Sequence, residues 1–229
     1  MSYREARGFA EEFFAALHGS ATIAGEVEAA IEECVRRYDT GPYENRFIVG
    51  AVVEQIIGAA ARSFGLEVKN AGARRQAYDL ELRPGLGLSV KYTSVTGRSG
   101  VIRLTNSQGA VGVWDTGTIF VVAGVGVGYA DDELLPGCTK TSGDGRSLDV
   151  SLERIRQLWG LESTAGRGPA PMWLSAMPVP HPVAGYFAPL EVPLRATVKA
   201  PRLAGDPIAL DILQSGLSPN LLANFQWSV

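Results

Sequence analysis

Asp79 lies in a strand-like segment, residues 77–82. A Pro84-Gly85 turn follows, and Lys91 sits inside a second strand-like run, Leu86 to Tyr92. Antiparallel strands joined by a short turn bring such an acid and lysine together at one end of a hairpin. A carboxylate beside an ammonium is a minimal kit for metal-assisted phosphodiester cleavage. The carboxylate holds a divalent cation, and the ammonium orients a water or meets developing phosphate charge. Glu54 is the third residue of this kind. It stands within Phe47-Ile-Val-Gly-Ala-Val-Val-Glu-Gln-Ile-Ile, a stretch apolar nearly all round. A carboxylate there is costly to bury unless a metal or a cation neutralises it. A plainer reading puts Glu54 on a polar stripe with Arg62, at i and i+8 of one helix face.

The elements that must position these groups follow from periodicity. Phe9, Phe13, Phe14 and Leu17 recur at helical spacing over residues 3–17, and Val27, Ala30, Ile31, Cys34 and Val35 over 24–38. A long apolar helix runs from about Glu44 to Phe64, with Gly65 at the C′ position. Strands are predicted over 66–70, 77–82, 86–93, 101–105, 118–123 and 125–130, and a further helix over 148–159. Ten of the thirteen prolines lie after residue 166, so that segment reads as edge strands and extended loops. The fold class is therefore α/β: a central mixed β-sheet flanked by helices, with an antiparallel hairpin at its active end. One domain spans 1–229, comprising N-terminal helices over 1–43, a core over 44–165 and a proline-rich segment over 166–229 that packs on the core or forms a dimer surface.

Composition narrows the function classes. The chain is 46% hydrophobic and 20% charged, enough apolar content for a sizeable core. It has no run of about 18 apolar residues, so no membrane span is expected. Cys34 and Cys138 lack metal-ligand spacing and fit a reducing cytoplasm. His18 and His181 are the only histidines, which argues against a histidine-based metal site. Gly124 to Gly128 misses the dinucleotide-loop spacing and reads as a glycine-rich hairpin. The four tryptophans read as core anchors.

The net charge of −3 hides a strong asymmetry. Residues 1–44 hold nine acids and four bases, a net of −5; residues 62–103 hold eight bases and three acids, a net of +5. A phosphate backbone responds to local charge within a Debye length. Lys69, Arg74 and Arg75 flank the acid–lysine pair as candidate phosphate contacts. Arg98, Arg103, Asn106 and Gln108 lie in a stretch dense in groups that read DNA. An ordinary polar loop with a helix cap at Asn106 or Ser107 is the alternative.

The order of these parts resembles the PD-(D/E)XK nuclease superfamily, the fold of most type II restriction endonucleases. There, a helix bearing a glutamate precedes a strand ending in a metal-binding aspartate, and the next strand carries acid-x-lysine. The resemblance covers residues 44–123, through Glu54, Asp79 and Ser89-Val90-Lys91. Two positions depart from the pattern: Tyr78 stands where a proline usually precedes the aspartate, and Ser89 stands at the acid position. What the resemblance implies is a restriction endonuclease-like core with Asp79, Lys91 and Glu54 as catalytic residues. It also implies Mg²⁺ held by Asp79, Glu54 and the Val90 carbonyl, since hard oxygen ligands suit that ion. The resemblance makes Glu54 the economical replacement for the acid missing at Ser89, with Glu81 as the rival. The expected activity is Mg²⁺-dependent hydrolysis of double-stranded DNA, as by a sequence-specific type II restriction enzyme acting as a homodimer. The alternatives are a repair, phage or mobile-element nuclease of the same fold, or a non-catalytic DNA-binding protein in which Ser89 marks a decayed site.

Overall fold

The computed structural model describes residues 3–37, 43–71, 78–94, 100–105, 114–123, 126–137, 139–141, 147–159, 173–175 and 218–226. Three helices come first: α1 (Arg4–Gly19), α2 (Ala21–Arg37) and α3 (Tyr43–Ser63). The strands follow as β1 (Lys69–Asn70), β2 (Leu80–Arg83), β3 (Leu86–Ser94), β4 (Val101–Thr105), β5 (Thr118–Ala123), β6 (Gly126–Ala130), β7 (Thr139–Thr141) and β8 (Ser147–Ser151). Helix α4 (Leu152–Leu158), strand β9 (Trp173–Ser175) and a short helix, here α5 (Pro219–Ala223), complete the order.

Six strands form one sheet in the order β1-β2-β3-β5-β6-β9, and three form another in the order β4-β8-β7. The larger sheet is mixed: β3 and β5 run parallel, from Ser89 opposite Thr118 to Ser94 opposite Ala123, and the other pairs are antiparallel. The α/β character and the mixed sheet predicted from periodicity are both present.

Alternation along the central strands splits the interior into two cores. Leu80, Leu88, Val90, Ile119 and Val121 face the helices, where they meet Phe13, Phe14, Leu17, Ile31, Val53, Ile56 and Ile57. Phe120 and Val122 face the other way, onto Ile102, Leu148, Val150, Ile155 and Trp159 of the second sheet and α4. Trp114 and Trp159 are buried, as expected of core anchors, and each indole N–H has a partner: Thr118 Oγ1 at 3.0 Å and the Tyr129 carbonyl at 3.1 Å. Core residues come from as far apart as Ala6 and Phe225.

Helix α3 ends as its sequence predicts. Gly65 takes a φ of +77°, its amide bonds the Arg62 carbonyl and the Leu66 amide bonds that of Ala61. This is a Schellman cap, which favours glycine at the left-handed position. Residues 218–226 then return onto the same end of α3. Arg62 Nε donates to the Asn224 carbonyl at 2.7 Å, and Arg62 Nη1 to Asn70 Oδ1 at 2.9 Å. Burial pushes the Arg62 guanidinium down to about 10. Asn70 donates from its side chain to the Glu54 carbonyl, and its amide donates to Gln226 Oε1. Gly58 makes room for this knot, since a Cβ there would lie 2.6 Å from Asn70 Oδ1.

Several expectations are corrected. The predicted helix over 148–159 is a strand followed by a helix. Leu148 and Val150 are buried at period two and pair with Leu104 and Ile102, and Ser151 then caps α4 by accepting from the Arg154 amide. Only Lys69–Asn70 of the predicted 66–70 strand is paired, and β4 leaves the main sheet for a second one. Within the segment after 166, helix α5 forms where only strands and loops were expected. Ser218 caps it and Pro219 opens it, a start signal present in the sequence. No helix among the described residues is long and apolar enough to cross a membrane.

Candidate active site

The β2–β3 hairpin turns at Pro84-Gly85, with Gly85 at a φ of +79°. Its register runs from Arg83 opposite Leu86 to Leu80 opposite Leu88, with an irregularity between Glu81 and Arg83. That bulge shifts the pairing by one residue. Asp79 therefore precedes the first paired residue of β2 instead of ending a strand, and its amide donates to the Leu88 carbonyl at 2.9 Å. A Cβ on Gly87 would lie 2.3 Å from the Leu80 carbonyl oxygen and from the Tyr78 ring. Glycine is needed there for the two strands and that ring to close together.

The shifted register aims three donors at one oxygen. Asp79 Oδ2 accepts from the Val90 amide at 2.7 Å, from Ser89 Oγ at 2.9 Å and from Lys91 Nζ at 3.0 Å. Asp79 and Lys91 are each partly buried, with side-chain exposures of 23% and 32%. The Ser89 amide, by contrast, donates across the parallel ladder to the Gly117 carbonyl. Backbone groups of successive strand residues point to opposite sides, so the Val90 carbonyl faces the same side as Asp79.

Glu54, on α3, feels the charges of this pair. Desolvation pushes its carboxyl well above the ordinary glutamate range, the Asp79 charge pushes it further, and Lys91 opposes both. Burial pulls the Lys91 ammonium down, but Asp79 and Glu54 outweigh it and the net shift is upward. That net shift favours the charged form, a hydrogen-bond donor. Glu81 takes no part in these shifts. It accepts instead from Tyr78 Oη at 3.3 Å and pairs across the ladder with Lys69 and Gly87. Between the two rival carboxylates, Glu54 is the one that the Asp79–Lys91 pair feels.

A carboxyl raised on folding costs stability once it ionises. The folded state holds its proton to higher pH than the unfolded chain, so stability falls as pH rises from the ordinary glutamate value through the raised one. Glu54→Gln removes that fall. Thermal unfolding of both proteins without divalent metal, from pH 5 to 8, should show the variant gaining on wild type as pH rises. A constant difference across the range would contradict this environment for Glu54.

The donor set suits a hard cation. Two carboxylates and a strand carbonyl match the sparse protein ligation of Mg²⁺, which keeps several waters. Among the described residues there is no group of three or more His, Cys, Asp or Glu placed to hold a metal, so water would complete any shell here.

The expected DNA-contacting residues fare differently. Lys69 is exposed on β1. Arg103 lies on the second sheet, where its guanidinium bonds Asp149 at 2.9 and 3.2 Å with 57% of its side chain exposed. Arg74, Arg75, Arg98, Asn106 and Gln108 lie outside the described residues, as does Cys138. Part of the local positive charge is committed internally, since Arg62 holds Asn224 and Arg83 pairs with Glu5.

Comparison with protein-family models, curated proteins and solved structures finds no match to this chain.

Proposed function

We propose that the chain is a Mg²⁺-dependent endonuclease that hydrolyses phosphodiester bonds of double-stranded DNA, with the restriction endonuclease-like core that the order of its parts resembles. The observation that carries this reading is the hairpin that sets the Asp79 carboxylate against Lys91, with the Glu54 carboxyl on α3 feeling both of their charges. Asp79, Glu54 and the Val90 carbonyl would hold the metal. When bound, Mg²⁺ lowers the pKa of a coordinated water and offsets charge in the transition state.

The chain's own groups do the rest. Lys91 keeps its proton at neutral pH, so it orients the attacking water or donates to a phosphate oxygen as negative charge develops. Its salt bridge to Asp79 fixes where that donor points. The half-buried setting strengthens each of these interactions relative to bulk water. Lys69 and, where they face the same surface, Arg74, Arg75, Arg98 and Arg103 would track the phosphate backbone. A double-strand cut by one such cluster per chain calls for two chains, hence a homodimer. A sequence-specific restriction role is the form of this activity that the resemblance favours.

Incubation of plasmid DNA with the protein in Mg²⁺ and in EDTA tests the reading. Conversion of supercoiled to linear DNA is expected only with Mg²⁺. Glu54→Gln should slow it by roughly 10²-fold or more, as for loss of a transition-state electrostatic contact, while Glu81→Gln stays near wild type. The reverse ranking would move the second carboxylate to Glu81. Metal-dependent DNA binding without any cleavage by the wild-type protein would favour a non-catalytic role.

A further inference from the structure

Asp79 divides its two carboxylate oxygens sharply. Oδ2 accepts three hydrogen bonds, from the Ser89 hydroxyl, the Val90 amide and the Lys91 ammonium. Oδ1 accepts none from any described residue, although the side chain is 23% exposed. A carboxylate oxygen has two in-plane lone pairs, so three donors at 2.7 to 3.0 Å use up the capacity of Oδ2. Two of those donors would persist in any carboxylate at this place: the Val90 amide belongs to the backbone, and Lys91 is attracted to the charge wherever it points. Ser89 is different. The residue is 8% exposed, its own amide is tied to Gly117 across the parallel ladder, and its hydroxyl lies beside Asp79 because of the hairpin bulge.

We propose that Ser89 is a positioning residue that locks the Asp79 carboxylate so that Oδ1 alone is presented to a divalent cation. In this arrangement the serine does not stand in for a missing metal ligand. It fixes the rotation of the one ligand that β2 contributes and raises the directional precision of a site with few protein ligands. The proposal rests on reading this cluster as a metal site. Hydrogen bonds that orient metal-ligating carboxylates typically contribute 10- to 100-fold in metal affinity.

Mn²⁺ serves as the probe, because its binding can be followed by calorimetry and by paramagnetic relaxation in the absence of DNA. Ser89→Ala deletes one oxygen, keeps the strand, and should weaken Mn²⁺ binding about 10- to 100-fold with little change in melting temperature without metal. Ser89→Thr keeps the hydroxyl and should bind Mn²⁺ nearly as wild type does. Ser89→Asp discriminates against the opposing idea. If position 89 were a weakened ligand position, a carboxylate there would tighten binding; if Ser89 acts as a donor, it sets an acceptor against Oδ2 and weakens binding. Unchanged Mn²⁺ affinity in Ser89→Ala, or tighter binding in Ser89→Asp, overturns the proposal and leaves the endonuclease reading standing. A wild-type protein that binds no Mn²⁺ overturns both.

Discussion

Asp79→Asn is expected to reduce Mg²⁺-dependent DNA cleavage by roughly 10³-fold while the protein stays folded. The asparagine keeps an oxygen that can accept from the Val90 amide and the Ser89 hydroxyl, so the donors remain satisfied. What disappears is the charge that holds a cation and anchors Lys91. Alanine is the less informative replacement. It would strand a strand amide and a nearly buried hydroxyl, at a cost of about 1–3 kcal/mol for each unsatisfied group, and mix folding with chemistry. Single-turnover cleavage at saturating protein, paired with thermal unfolding of the same samples, checks the result. Activity within a few-fold of wild type in Asp79→Asn would remove this carboxylate from the mechanism.

The sequence alone points to much of that site. The Pro84-Gly85 turn between alternating runs announces a hairpin, and the separation of Asp79 from Lys91 then places them at one end of it. Glu54 stands out because a carboxylate on an apolar helix needs a partner, and Gly65 marks where that helix stops. The role of Ser89 was not legible. Counted back from the turn without a bulge, Asp79 would face Val90; the irregularity between Glu81 and Arg83 moves it opposite Ser89. Nothing in the composition of Glu81-Leu-Arg83 signals that extra residue. The second sheet was hidden for a different reason. Leu148 and Val150 followed by Leu152 and Ile155 fit a strand run and a helix equally well, and only the partner β4 decides where one ends.

Long-range ion pairs were also beyond reach, and one of them carries the second large expected effect. Arg7→Ala should lower stability by about 3–5 kcal/mol, the usual result of breaking one partner out of a buried pair. Asp131 is wholly buried. Arg7 grips it through one guanidinium edge, Nε at 3.2 Å and Nη2 at 2.9 Å, while Tyr129 Oη donates at 2.7 Å and the Leu134 amide at 2.8 Å. Removing the cation leaves a carboxylate inside the protein with two neutral donors and no counter-charge. For a chain of this size the melting temperature should fall by roughly 10 °C. Arg83→Ala is the control. Its pair with Glu5 is exposed on both sides, at 60% and 55%, and screened by water, so that variant should melt close to wild type. Differential scanning calorimetry on both decides the matter. Equal melting points for Arg7→Ala and Arg83→Ala would show that Asp131 finds compensation elsewhere.

The return of residues 218–226 onto α3 sets an order of events during folding. The hairpin contacts of Asp79 close over 10 to 12 residues, whereas the bond from Arg62 to Asn224 closes over 162. Closing the longer loop costs roughly 2 kcal/mol more chain entropy than closing one a tenth as long. The hairpin can therefore assemble while later residues are still being synthesised, but the knot of Arg62, Asn70 and Gln226 waits for them. Until it ties, α3 is held to β1 by the shorter-range bonds of Asn70 to the Glu54 carbonyl and of Arg62 to Asn70. A nascent chain ending before residue 218 would carry a formed acid–lysine hairpin beside a helix α3 whose C-terminal end still lacks its clasp from Asn224.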